Sequence, residues 1–176
     1  PIMYASDMIG NLQTVQLLIR NNADVQAEDN YGWSVWTYAC KRGDPEICEY
    51  LVEYFNESGL SDFLKKKDIF GSNAFAHACE KGNYEVAELI MKKTNIDVEN
   101  LNHEGYSGIY WYFKYMEKNS FYRSEEYNEK LIELFMEKIG VNNLEKYMEK
   151  DEFLRRFLSQ NSKYDSIWKK CEAKCL

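Results

Sequence analysis

Residues with catalytic or metal-binding potential are few, and their spacing leaves them isolated. Two histidines occur, His77 and His103, and neither has a cysteine one helical turn away in sequence (Cys79, two residues from His77, points to another side of a helix), so a Cys/His dyad has no local support. The five cysteines are Cys40, Cys48, Cys79, Cys171 and Cys175. Cys171 and Cys175 would share a helical face, but two thiols make half of a zinc site and no histidine lies nearby. Adjacent acids such as Glu125 and Glu126 point in different directions on a helix and read as solvated charge. No Gly-rich phosphate loop, nucleophile elbow or metal-binding helix motif occurs. These observations lead us to expect no catalytic site, no cofactor, no metal and no small-molecule substrate.

The elements that would position any functional group come from an internal repeat. Gly32 opens Gly-Trp-Ser-Val-Trp-Thr-Tyr-Ala-Cys-Lys-Arg-Gly, ending at Gly43. Gly71 opens Gly-Ser-Asn-Ala-Phe-Ala-His-Ala-Cys-Glu-Lys-Gly, ending at Gly82, with Gly, Ala, Cys and Gly at the same offsets. A helical apolar pattern follows each: Ile47, Cys48, Leu51 and Val52 in one, Val86, Ala87, Ile90 and Met91 in the other. An earlier copy runs from Met3-Tyr4-Ala5 to Gly10, with one extra residue between Ala5 and Gly10. A fourth start lies at Gly105-Tyr106-Ser107-Gly108, where Tyr112 stands in place of the small Ala39 and Ala78. That ring should force the helices apart or change their pairing.

These segments resemble ankyrin repeats. Asp29-Asn30-Tyr31-Gly32 and Asp68-Ile69-Phe70-Gly71 match the opening of the family pattern, while Asn22-Ala23-Asp24-Val25 and Asn95-Ile96-Asp97-Val98 match its close. The Thr-Pro-Leu-His core of the pattern is replaced by Ser34-Val35-Trp36-Thr37, Asn73-Ala74-Phe75-Ala76 and Ser107-Gly108-Ile109-Tyr110. The step from Gly71 to Gly105 is close to the family period of about 33 residues. The longer step from Gly32 to Gly71 implies an insertion around Asn56 to Lys66.

The expected fold is all-α: an ankyrin solenoid of helix-turn-helix pairs with short β-turn fingers and a C-terminal helical cap. The expected units are residues 1–28, 29–67, 68–101 and a degenerate 102–139, followed by a cap or appendage over 140–176. Gly43 and Gly82 suit left-handed helix ends. Asp44-Pro45 suits a helix start, and Gly32, Gly71 and Gly105 suit tight finger turns. In the cap region Leu144, Tyr147, Met148, Phe153, Leu154, Phe157 and Leu158 form one helical stripe, and Tyr164 to Cys171, with Ile167 and Trp168, a further short helix.

Composition excludes several partners. A net charge of −7 disfavours nucleic acid and anionic membrane, which select basic surfaces. No run of 18 apolar residues exists, so membrane insertion is not expected. An odd number of cysteines without a disulfide-like framework fits an intracellular, cytoplasmic protein. The chain opens inside a repeat, so a truncated N-terminus and a longer parent protein are expected.

The resemblance implies a non-catalytic interaction module, an adaptor or subunit of a larger assembly, with a protein partner bound on the concave finger and inner-helix face. An alternative is a regulatory or targeting domain of a longer enzyme or secreted effector. Carried over position by position, the partner-contacting residues are Tyr31, Trp33, Lys41 and Arg42 in one copy. They are Ile69, Phe70 and Lys81 in the next, and His103 and Tyr106 in the fourth. The aromatics suit binding hot spots, and the cations would suit an acidic or phosphorylated segment. Trp33 and Phe70 would alternatively pack against neighbouring fingers.

Overall fold

The structure is a computed structural model that describes residues 1–9, 11–119, 125–140, 159, 160 and 165. The stripe at 144–158 and the segment 164–171 apart from Asp165, with Cys171 and Cys175, lie outside these residues. Helices pair in chain order. The first pair is α1 (Ile2–Tyr4), continued by a π-helical turn (Ala5–Ile9), with α2 (Leu12–Arg20). The second is α3 (Val35–Arg42) with α4 (Pro45–Glu57), and the third α5 (Ala74–Glu80) with α6 (Tyr84–Lys93). The fourth is α7 (Gly108–Asn119) with α8 (Glu125–Ile139). The first helices of the pairs stack α1 on α3 on α5 on α7, and the second helices stack α2 on α4 on α6 on α8. The result is the expected two-layer, all-helical solenoid.

Local chemistry explains the boundaries. The residue two after each finger glycine caps the helix that follows: Ser34 accepts from the Thr37 N–H, Asn73 from Ala76 and Ser107 from Tyr110. Asp44 caps α4 by accepting from Ile47, with Pro45 in the first turn. Gly43 ends α3 at φ 84°, and a Cβ there would lie 2.3 Å from the Asn83 side chain. That side chain donates to the carbonyls of Cys40 and Lys41 at 3.0 and 2.8 Å, so Asn83 of one repeat closes the end of the inner helix of the previous one.

Two irregularities of the repeat have structural counterparts. The extra residue between Ala5 and Gly10 falls in the π-helical turn, the usual way a helix absorbs an insertion. The insertion between the second and third copies lengthens α4 to 13 residues and adds a 3-10 turn at Ser61–Lys65. That turn buries Phe63 and Leu64 and places the Leu64 carbonyl 3.2 Å from the Trp36 indole nitrogen.

The core runs unbroken from Ile2 to Ile139. Val35, Phe55, Phe75, Ile90, Phe113 and Phe135 are fully buried, each contributing about 1.5–3 kcal/mol of transfer free energy. The fourth pair, α7 with α8, meets through the Tyr112 ring, where the earlier pairs have the small Ala39 and Ala78. That ring is buried beside Phe135 of α8, with centroids 5.4 Å apart, and fills the gap that Ala39 and Ala78 leave absent elsewhere. On the α5 side Gly108 makes the close approach, since a Cβ there would meet the Phe75 ring at 2.5 Å.

Candidate partner-binding groove

Three fingers precede α3, α5 and α7, each closed by one antiparallel bridge: Glu28 with Ser34, Lys67 with Asn73 and Leu101 with Ser107. The first polar residue of each finger holds it shut. Asp29 accepts from the N–H groups of Tyr31 and Trp33, Asp68 from Phe70 and Ser72, and Asn102 from Glu104 and Tyr106, all at 2.8–3.0 Å. Successive fingers are joined by main-chain bonds, Ile69 N–H to the Tyr31 carbonyl at 3.1 Å and His103 N–H to the Phe70 carbonyl at 2.8 Å. The fingers therefore form one rigid row, and their tip side chains hold a set spacing.

Two aromatic clusters stand on this row. Tyr31 lies 5.7 Å from Trp33 and stacks on Phe70 at 6.3 Å between ring centroids. Tyr106 stacks on Tyr110 at 4.4 Å and meets Trp111 edge-on at 5.5 Å. Between the clusters lies a groove of about 330 Å³ whose walls include Trp33, Phe70, His103 and Trp111. Its position follows from register. Trp33, Ser72 and Tyr106 each follow the finger glycine, so a small residue in the middle finger leaves room between two large ones.

Asp68 forms the floor. Its Oδ2 accepts from the Trp33 indole N–H at 3.0 Å and pairs with His77 Nε2 at 2.8 Å. Burial alone would raise the Asp68 carboxyl, but the bonds from His77, Ser72 and Trp33 win and hold it below the ordinary range. Burial likewise disfavours charged His77, yet Asp68 and Glu80 raise it above its usual value. Glu80, bonded to His77 and beside Lys81, is pulled down to about 2. His77 is thus a structural ion-pair partner, as its place in an inner helix suggests.

The nine sequence-derived residues divide into two groups. Tyr31, Ile69 and Phe70 are about half exposed, His103 is exposed, and Tyr106 is exposed at its margin. Trp33 is half-buried and bonded across to the next finger, and the His103 ring lies over Gly71. The three cations are already engaged. The Lys41 ammonium sits 3.8 Å from the centroid of the Trp33 ring, Arg42 donates to the Asp7 carbonyl, and Lys81 pairs with Glu80 at 3.1 Å. Trp111 and the Asp68 floor were not anticipated as parts of the site. The available signal was register: Tyr38, His77 and Trp111 share one offset from the finger glycine and face the fingers from α3, α5 and α7.

The family model for ankyrin repeats in three copies matches residues 2–102, more than half of the chain, and the chain belongs to the ankyrin-repeat family. Protein phosphatase 1 regulatory subunit 27 of Homo sapiens and that of Mus musculus are each 36% identical to it over 50 residues, 28% of this chain and 32% of theirs. The match thus spans about a third of the length of these curated relatives. Ankyrin repeats are protein-interaction modules, and none of the helices among the described residues is long and apolar enough to cross a membrane.

Proposed function

We propose that this chain is a non-catalytic adaptor or assembly subunit that binds a partner protein along the concave face formed by the fingers and the inner helices α3, α5 and α7. The groove between the two aromatic clusters carries the reading. A rigid row of fingers presents Tyr31, Ile69 and Phe70 to solvent beside a cavity large enough for a partner side chain. Half-exposed rings need little reordering to bind, which suits hot-spot residues. In this reading Trp33, Lys41, Arg42, Lys81, His103 and Tyr106 form the walls and rim. The same reading divides the chain into units 1–28, 29–67, 68–101 and a degenerate 102–139, with residues 140–176 as a cap or appendage.

A regulatory or targeting role within a longer protein is the second reading. It draws support from the relatives, whose name is that of a regulatory subunit. Among the described residues Cys40, Cys48 and Cys79 are free and buried, and the Cys48 thiol donates to the Cys40 sulfur at 3.9 Å, which supports our reading of a reducing intracellular compartment, the cytoplasm.

Affinity purification of the tagged chain from its source cell, beside a Tyr31→Ala/Phe70→Ala variant, tests the binding face. A stoichiometric protein lost in the variant is the expected result. A partner retained at full yield by the folded variant would move the interface elsewhere.

A further inference from the structure

The groove has a charge preference that its list of cations conceals. Lys41, Arg42 and Lys81 suggest an acidic partner, but each is satisfied within the chain by the Trp33 ring, the Asp7 carbonyl and Glu80 respectively. The carboxylates lining the groove are Asp68, Glu80 and Glu104. Asp68 is balanced by His77 at 2.8 Å. Glu104 is exposed and makes no ion pair among the described residues.

The aromatic walls point the same way. Ring faces attract cations through their quadrupole, with indole the strongest. The chain already holds one such contact, with the Lys41 ammonium 3.8 Å from the centroid of the Trp33 ring. Trp111 and Phe70 offer two further walls. A planar guanidinium can stack on such a wall while its edge bonds a carboxylate, which a compact ammonium does less well.

We propose that the groove takes a basic side chain of the partner, an arginine foremost, stacked between Trp33 and Trp111 with its edge toward Glu104. This deepens the reading under Proposed function and rests on it. Lys41 then acts as an internal competitor that holds the Trp33 face until the partner arrives. That role separates the idea from an acidic partner, for which Lys41 would be an attractive contact.

The test is a titration with the peptide acetyl-Gly-Ala-Arg-Ala-Gly-amide and its citrulline and glutamate counterparts. Indole N–H resonances are followed by nitrogen–proton correlation NMR. Trp36, buried and bonded to the Leu64 carbonyl, is the internal control, and the amide spectrum reports the fold. The arginine peptide should move Trp33 and Trp111 but not Trp36. The citrulline peptide and Glu104→Gln should each weaken binding roughly fivefold, as expected for loss of one exposed charge contact or cation–π contact. Lys41→Met should tighten it.

Equal binding of citrulline, a preference for glutamate, weaker binding by Lys41→Met, or unmoved Trp33 and Trp111 resonances with every peptide would each overturn the inference. The Tyr31/Phe70 experiment uses no charge and stands or falls separately.

Discussion

The indole N–H of Trp33 donates to the carboxylate of Asp68 at 3.0 Å, and that bond joins two repeats. The same carboxylate holds its own finger through Phe70 and Ser72 and the inner helix through His77. Replacement of Asp68 by Asn keeps the shape but turns an amide NH2 toward donors that need an acceptor. We expect a loss of about 2 kcal/mol, the cost of a buried donor left without a partner. Urea unfolding measures it, and a loss below about 0.5 kcal/mol, the scatter of an ordinary surface change, would refute the account.

The same cluster sets a pH window. His77 is raised in the folded state, so its contribution is complete below its ordinary value of 6.5 and fades as pH rises through the higher folded value. Asp68 and Glu80 are lowered, so theirs is complete above their ordinary values of 3.8 and 4.5 and fades as pH falls, for Glu80 down to about 2. Stability should therefore be greatest between about pH 4.5 and 6.5. Urea midpoints across pH should show both limbs, and His77→Gln should flatten the alkaline one. An unchanged alkaline limb in that variant would assign it to another group.

Gly43 shows how much of the solenoid is readable from spacing alone. Its offset from Gly32 announces a left-handed helix end, and Asp44-Pro45 announces the next helix. These are local rules, fixed by backbone conformation and by the first turn's need for acceptors. The Asn83 amide that closes α3 lies more than 40 residues away, and only the stacking of repeats brings it there. Trp33 was legible only as a pair of alternatives, an exposed anchor or a residue packed against a neighbouring finger, because its bond to Asp68 depends on the neighbouring repeat. Tyr112 was legible as a departure from the repeat, since a large ring at a small-residue position announces a changed helix contact, while its partner Phe135 lies in the next helix and could not be read from spacing.

Gly43→Ala should accordingly be costly. The new methyl meets the Asn83 side chain at 2.3 Å, and the φ of 84° is itself strained for alanine. We expect about 2–3 kcal/mol, roughly 1–2 from the left-handed backbone and the rest from displaced hydrogen bonds. Asn83→Ala alone should cost less, because it removes the bonds without the strain. Reversal of that order in chemical denaturation would contradict the geometry.

The fourth helix pair depends on Tyr112. Truncation to Ala would leave a cavity between α7 and α8 and should cost about 3–4 kcal/mol, within the range for large buried aromatics. Urea unfolding would show it, with the loss greatest in amide protection of α7 and α8. A cost near zero would mean that the ring does not fill the core there.

Ser72, which lines the groove, offers a way to test it while leaving the aromatic walls in place. It occupies the register that holds Trp33 in the preceding finger and Tyr106 in the following one, so the finger backbone accepts a large residue at this position. Its N–H bond to Asp68 is made by the main chain and survives substitution. Ser72→Trp should place an indole in the space of about 330 Å³ between Trp33 and Trp111. Some overpacking is expected, costing about 1–2 kcal/mol, because Ser72 is largely buried. Partner affinity should fall at least tenfold, since a filled groove can admit no side chain. Ser72→Ala leaves the groove open and should bind like the parent, which separates blockage from loss of the hydroxyl. Titration of all three proteins with the purified partner reads the difference directly. Undiminished binding by a folded Ser72→Trp variant would place the contact on the finger tips, with Tyr31 and Phe70, and leave the groove out of it.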